Sequence, residues 1–236
     1  MVELVCRALS RDFTVWTVKH LSGSFDTKEK DTWRHIAAGS SGTIAVSPEE
    51  IVSLEPRRGA SVEDALAELP AGVDLVLVEG FHESTYPKVL VAKTIDEAEE
   101  QLHRIDGVFA VCIPGGGAGK ANLSDKTSLL SVEELTKMVR EMVVADQLRR
   151  LPGLDCRKCG YSGCDALRQA IREGSGSLRQ CRALFESDLR LFVDGGQIYL
   201  SPFPRTFVRN VLLAMVGTLK GVDSGRMVKL SIEVRI

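Results

Sequence analysis

Along the first 150 residues, short apolar runs alternate with stretches of helical period. Val2, Val5, Cys6 and Leu9 recur at spacings of three and four, so the chain is expected to open on a helix, and residues 13–18 then read as a buried strand. A polar segment over 21–31 leads to a short helix over 33–38, stopped by Gly39, and to a strand over 43–46. Ser61 starts a further helix through Leu69, closed by Pro70. Residues 74–79, Asp-Leu-Val-Leu-Val-Glu, form a nearly all-apolar strand typical of a parallel sheet covered on both faces. A strand over 89–92, an acidic helix over 96–103, a strand over 108–113 and a glycine-rich loop follow. Ser131 and Glu134 then stand at capping-box spacing ahead of a helix over 132–148. This alternation predicts an α/β layer structure with a mostly parallel sheet.

The pattern breaks at Arg149-Arg150-Leu151-Pro152-Gly153, where a charged proline-glycine junction marks a domain boundary. Three parts are expected: an α/β domain over 1–150, a cysteine-rich module over 151–186 and a small α+β segment over 187–236. In the last, residues 189–193 and 197–201 flank Asp194-Gly195-Gly196, a combination that favours a tight hairpin turn. A helix over 204–219 comes next, and residues 228–236 alternate strictly, placing Val228, Leu230, Ile232, Val234 and Ile236 on one face of a half-buried strand.

Composition narrows the functional classes. The 236 residues are 44% hydrophobic and 26% charged, values of an ordinary globular chain. The longest apolar runs, such as 211–216, fall far below the ~18–20 residues that cross a bilayer, and residues 1–11 lack the basic head and apolar block of a secretory signal. A cytoplasmic protein without membrane contact is expected. Up to position 150 there are 17 basic and 24 acidic residues, beyond it 13 and 8. The arginines of the basic part are dispersed and aromatics make up only 6% of the chain, so no nucleic-acid-binding platform is expected.

Cysteine placement is the sharper signal. Four of the six cysteines run Cys156-x2-Cys159-x4-Cys164-x16-Cys181, with Gly160 and Gly163 inside the loop and helix-forming residues behind it, while Cys6 and Cys112 stand alone as small apolar residues. In a reducing compartment, such clustering points to metal or redox chemistry rather than disulfides. An iron-sulfur cube needs four converging thiolates, and the short links with glycine permit the turns involved. An all-thiolate zinc site and buried thiols without metal are the alternatives. The run from Leu151 through Cys164 and on to Cys181 resembles the small four-cysteine [4Fe-4S] domain of certain electron-transfer subunits and corrinoid iron-sulfur proteins. Arg157, Lys158 and Arg179 would offset the negative charge of such a cluster.

A second resemblance rests on Thr17-Val-Lys-His20, Phe25-Asp26, Lys30-Asp-Thr-Trp-Arg-His35-Ile-Ala-Ala-Gly39 and Asp74-Leu-Val-Leu-Val-Glu-Gly-Phe81. In this order they are similar to the molybdopterin-guanine dinucleotide biosynthesis protein B (MobB) family over about residues 1–115. The resemblance implies a P-loop-NTPase-like α/β fold, usually a homodimer, that binds GTP and Mg²⁺. It implies further that the protein assists attachment of GMP to molybdopterin or hands the cofactor on. The partners would then be the molybdopterin cofactor or its guanylyltransferase, alongside a redox partner for the cluster. On that view Lys19, His20, Asp31, Arg34, His35, Glu79 and Gly80 line the nucleotide site. Glu79 would orient a magnesium-bound water at the sheet's carboxyl edge, or be a strand-end charge. Asp31, Arg34 and His35 would face an anionic ligand, or form an exposed helix face. His20 would face the ligand, or be hydrogen-bonded in a loop.

The chain departs from the family where a P-loop would stand, because it contains no strand-G-x-x-x-x-G-K-S/T-helix sequence. Gly115-Gly-Gly-Ala-Gly-Lys120 does not substitute: Pro114 precedes it, the glycine spacing is one short, and Ala121 lacks the magnesium-holding hydroxyl. No guanine-reading Asn-Lys-x-Asp sequence is present. Residues 2–9 read as the helix that follows a P-loop, so the expectation is that Met1 is an internal start or a truncation, that the first strand and Walker A segment are missing, and that GTP binds weakly or not at all. A sheet missing that strand would expose ladder groups on its neighbours. At most a weak GTPase-type accessory protein is expected, with an electron-transfer or redox-sensing iron-sulfur protein as the alternative.

Overall fold

Helix α1 (Val2–Leu9) forms because its apolar residues lie on one stripe: Val5 and Leu9 are buried, and Glu3 and Arg7 pair across one exposed turn at 2.6 Å. A computed structural model of the chain describes residues 1–23, 30–70, 72–114, 127–185, 189, 191–193 and 196–220. Among these, β1 (Val15–Lys19) follows, then α2 (Asp31–Ala37), β2 (Thr43–Val46), β3 (Ile51–Leu54), α3 (Val62–Ala67), β4 (Leu75–Glu79), β5 (Lys88–Val91), α4 (Ile95–Leu102), β6 (Val108–Cys112), β7 (Ser128–Leu130) and α5 (Val132–Arg150). The chain divides into two compact units, Met1–Val143 and Val144–Ile236, with the division inside α5.

The first unit is the α/β structure read from the sequence, with its parallel strands in two sheets. β1 pairs with β4 in parallel, Val15 opposite Leu75 and Lys19 opposite Glu79, and β5, β6 and β7 form a second parallel sheet in that order. Among the described residues, neither β4 nor β5 has a second strand partner. Val5 and Leu9 join the two sheets through one core that contains Leu75, Leu77, Val89 and Cys112. On its opposite face the three-stranded sheet carries Leu90, Val111 and, from α4, Ala98. Burying a leucine side chain fully contributes ~1.5–3 kcal/mol, so α1 is a large share of what binds these sheets.

Several details differ from the sequence reading. Coverage on both faces holds for β5–β7 but not for residues 75–79: their neighbours in β1 and β4 leave Trp16 44% and Val78 36% exposed, because the described elements cover only the Val15–Leu75–Leu77 face. β3 and β7, four and three residues long, are strands that the sequence analysis does not give. β3 pairs antiparallel with β2 as a hairpin, Val46 opposite Ile51. Capping was legible: Ser61 and Asp64 form a reciprocal box at α3, as do Ser131 and Glu134 at α5, and Gly39 ends α2 at a φ of 104°. Phe25-Asp26, the loop 115–120, Asp194-Gly195 and the alternating stretch 228–236 lie outside the described residues.

The second unit continues from α5 into an irregular loop, α6 (Cys164–Arg172), a 3₁₀ turn (Leu178–Gln180), α7 (Arg182–Phe185), the antiparallel pair β8 (Leu191–Val193) and β9 (Gly196–Ile198), and α8 (Pro202–Gly217). Its core is Leu151, Leu167, Ile171, Leu178, Cys181 and Leu184. No helix of the described residues is long and apolar enough to cross a membrane.

Candidate functional site

The four-cysteine region is shaped by left-handed backbone. Gly153, Asp155 and Arg157 have φ of 67°, 45° and 57°, and Gly160 has 88°. For Asp155 and Arg157 the conformation costs of order 1 kcal/mol each, which surrounding contacts must offset.

One such contact is a reciprocal pair. The Asp155 carboxylate accepts the Cys164 backbone N–H at 2.6 Å, while the Asp155 N–H donates to the Cys164 sulfur at 3.3 Å. Gly163 occupies the N-cap of α6 and has no side chain to cap it, so Asp155 supplies the acceptor from nine residues back. A Cβ on Gly163 would stand 3.1 Å from that carboxylate oxygen. Sequence reasoning missed Asp155; its signal is an acid beside the first cysteine and a helix that begins on glycine.

Cys181 returns to the loop by a tight route. Leu167, Ala170 and Ile171 bury one face of α6, and Gly176 passes so close that a Cβ there would lie 2.8 Å from that of Ala170. Ser177 and Gln180 then form a capping box around the 3₁₀ turn, and the Tyr161 hydroxyl donates to Gln180 at 3.3 Å, tying loop to turn. Cys181 is 5% and Cys164 8% exposed, whereas Cys156 and Cys159 are half-buried. Burial raises the Cys181 thiol pKa, the nearby Cys164 and Cys156 add to the rise, and the backbone amides of Leu184 and Ala183 oppose it by favouring the ionised sulfur. No group of three or more His, Cys, Asp or Glu among the described residues is arranged to hold a single metal ion. Four thiols on one loop and the turn that returns to it, with Cys159 packed against the core that holds Cys181 and a backbone amide directed at the Cys164 sulfur, have the donor chemistry of a thiolate-held iron-sulfur group.

In the first unit, the parallel pair β1–β4 brings the carboxyl ends of both strands together. Lys19 and Glu79 form an ion pair there, half-exposed on both sides. His20 donates its backbone N–H to the Glu79 carbonyl at 2.8 Å, and its ring lies 4.6 Å from that of Phe81. Gly80 has a φ of 91°, and a Cβ on it would fall 2.6 Å from the His20 Cβ, so the close approach of the two strand ends requires glycine. Lys19, His20, Glu79 and Gly80 are thus one group, joined by Phe81, which the sequence reading had not counted as a site residue. Asp31, Arg34 and His35 are exposed on α2, which packs against β2, and Arg34 pairs with Asp31 at 3.8 Å. The solitary Cys112 is fully buried in the core, with its thiol pKa raised first by that burial.

A mostly parallel α/β unit with a polar group at its strand ends, followed by a four-thiol module, defines an α/β protein with an appended iron-sulfur unit. Residues 1–113 match the family model "MobB: Molybdopterin guanine dinucleotide synthesis protein B", and residues 151–183 match the model "Putative Fe-S cluster". Just under half of the chain is thus similar to the MobB family, and a separate stretch behind it to an iron-sulfur domain. A Methanocaldococcus jannaschii protein described as "Putative molybdopterin-guanine dinucleotide biosynthesis adapter protein" is 25% identical, over 94% of this chain and 88% of its own length. The chain is also similar to a crystal structure of molybdopterin-guanine biosynthesis protein B, at 18% identity and a TM-score of 0.46, covering 60% of this chain and 88% of that one. For a MobB homologue from Bacillus stearothermophilus the values are 22%, 0.42, 61% and 88%.

Proposed function

We propose that this protein is a MobB-like adapter in molybdopterin guanine dinucleotide biosynthesis, with a [4Fe-4S] cluster held by Cys156, Cys159, Cys164 and Cys181. The observation that carries the reading is the succession of a MobB domain and an iron-sulfur domain in one chain, with a relative described as such an adapter aligning over nearly the whole of it. The adapter engages the molybdopterin cofactor or the guanylyltransferase that completes it. Lys19, His20, Glu79 and Gly80, at the carboxyl edge of a parallel pair, are placed where α/β proteins receive ligands. When bound, the cluster supplies a one-electron centre or a structural crosslink. The chain's own contribution is to direct the Asp155, Ala183 and Leu184 amides at cysteine sulfur. Anaerobic purification should yield four iron and four sulfide per chain, with an EPR signal on reduction; zinc alone would overturn the assignment.

The same reading has the chain as a homodimer. Hairpin β2–β3 supports it: Ile44, Val46 and Ile51 are 68%, 73% and 74% exposed, three β-branched residues on one face. Replacing Val46 and Ile51 by lysine should convert a dimer to a monomer on analytical ultracentrifugation. A wild-type chain that sediments as a monomer removes the dimer from the proposal.

A further inference from the structure

The half-exposed edge of the cysteine site carries a net positive charge: Arg157 and Lys158 outnumber Asp155. Cys156 and Cys159 are half-buried while Cys164 and Cys181 face the core, so a cluster on these four sulfurs comes nearest to solvent along the 156–159 link. The two residues of that link, Arg157 and Lys158, are exposed, and neither has an ion-pair partner among the described residues. The left-handed φ of Arg157 sets the turn in which they stand. Of the acids nearest in sequence, Asp165 is offset by Arg168 at 2.8 Å, while Asp155, whose carboxylate accepts the Cys164 N–H, keeps its charge and leaves the link with an excess of one positive charge. Electron transfer between proteins needs a centre near the surface, and unpaired charges of one sign around it accelerate encounter with a partner of the opposite sign.

We infer that the Arg157–Lys158 link is the docking surface for an acidic one-electron carrier protein, which exchanges electrons with the cluster through its exposed edge. The inference rests on the cluster assignment proposed above. In the forward direction the reduced carrier loses one electron and the oxidised cluster gains it, with no bond made and no proton moved. The two charges stand on the ligand loop itself, so a bound carrier lies against the part of the cluster that the fold leaves open. Their attraction for the carrier is screened by salt over roughly 8–10 Å at physiological ionic strength.

The test uses the full-length protein with its cluster, checked by iron, sulfide and EPR, and a photoreduced acidic ferredoxin as probe. The second-order rate of cluster reduction should fall at least tenfold in the double variant Arg157→Glu/Lys158→Glu at low salt, and the wild-type rate should fall as salt rises. Arg157→Gln/Lys158→Gln, which removes charge without reversing it, should lie between and lose most of the salt dependence. Arg172→Glu, on an exposed residue at the far end of α6, about 12 Å along the helix from Cys164, should leave the rate within twofold. Reduction by dithionite should be the same in all four proteins. Equal ferredoxin rates in wild type and both double variants, or a wild-type rate indifferent to salt, overturn the docking surface while leaving the cluster intact. Absence of iron in the wild type instead overturns the cluster assignment.

Discussion

Replacing Cys181 by serine should cost the protein its cluster and loosen the second unit, while the first unit keeps its fold. Cys181 lies among Leu151, Leu167, Ile171, Leu178 and Leu184, and its sulfur is served by the amides of Ala183 and Leu184. A serine there cannot act as the thiolate ligand and leaves a hydroxyl in an apolar core, a change of ~1–3 kcal/mol where its hydrogen bonds are not fully replaced. Iron content should fall well below four per chain. Trypsin should cut faster at Arg168, Arg172 and Arg179, which all lie in this unit. Cys159→Ser, at the half-exposed edge, should lose iron with a smaller rise in cleavage. Full iron retention in Cys181→Ser would remove Cys181 from the ligand set.

Leu9→Ala should be the most damaging single truncation in the first unit. Leu9 is fully buried and shares a core with residues from both parallel sheets. Truncating a buried leucine to alanine costs 2–5 kcal/mol, according to how far the cavity collapses. Both tryptophans, Trp16 and Trp33, lie in this unit, so fluorescence-monitored urea unfolding reports on it alone. The midpoint should shift markedly down, whereas Leu4→Ala, on the exposed side of the same helix at 43% exposure, should leave it nearly unchanged. Equal shifts in the two variants would show that α1 does not bind the sheets together.

What could be read from the sequence follows from the range of the interactions. The capping boxes at Ser61 and Ser131, the stop at Gly39 and the strand at 75–79 depend on neighbours a few residues apart, and the sequence displays them directly. The cysteine spacing was legible because three of the four cysteines lie within nine residues. The Ser177–Gln180 box was equally local and went unnoticed, although it is what presents Cys181. Other features depend on backbone geometry or distant pairing. Asp155 reaches Cys164 only because its own backbone is left-handed, and Lys19 meets Glu79 across sixty residues through the parallel register of β1 and β4. For Asp31, Arg34 and His35, a helical pattern could place them on one element but could not say which strand that element packs against.

The unequal burial of the four thiols also implies an order of reactivity. Cys156 and Cys159 are within reach of an alkylating reagent, while Cys164 and Cys181 are shielded. Alkylation and oxidation should therefore reach the outer pair before the inner one, so that the buried pair outlasts the exposed one as intact thiols.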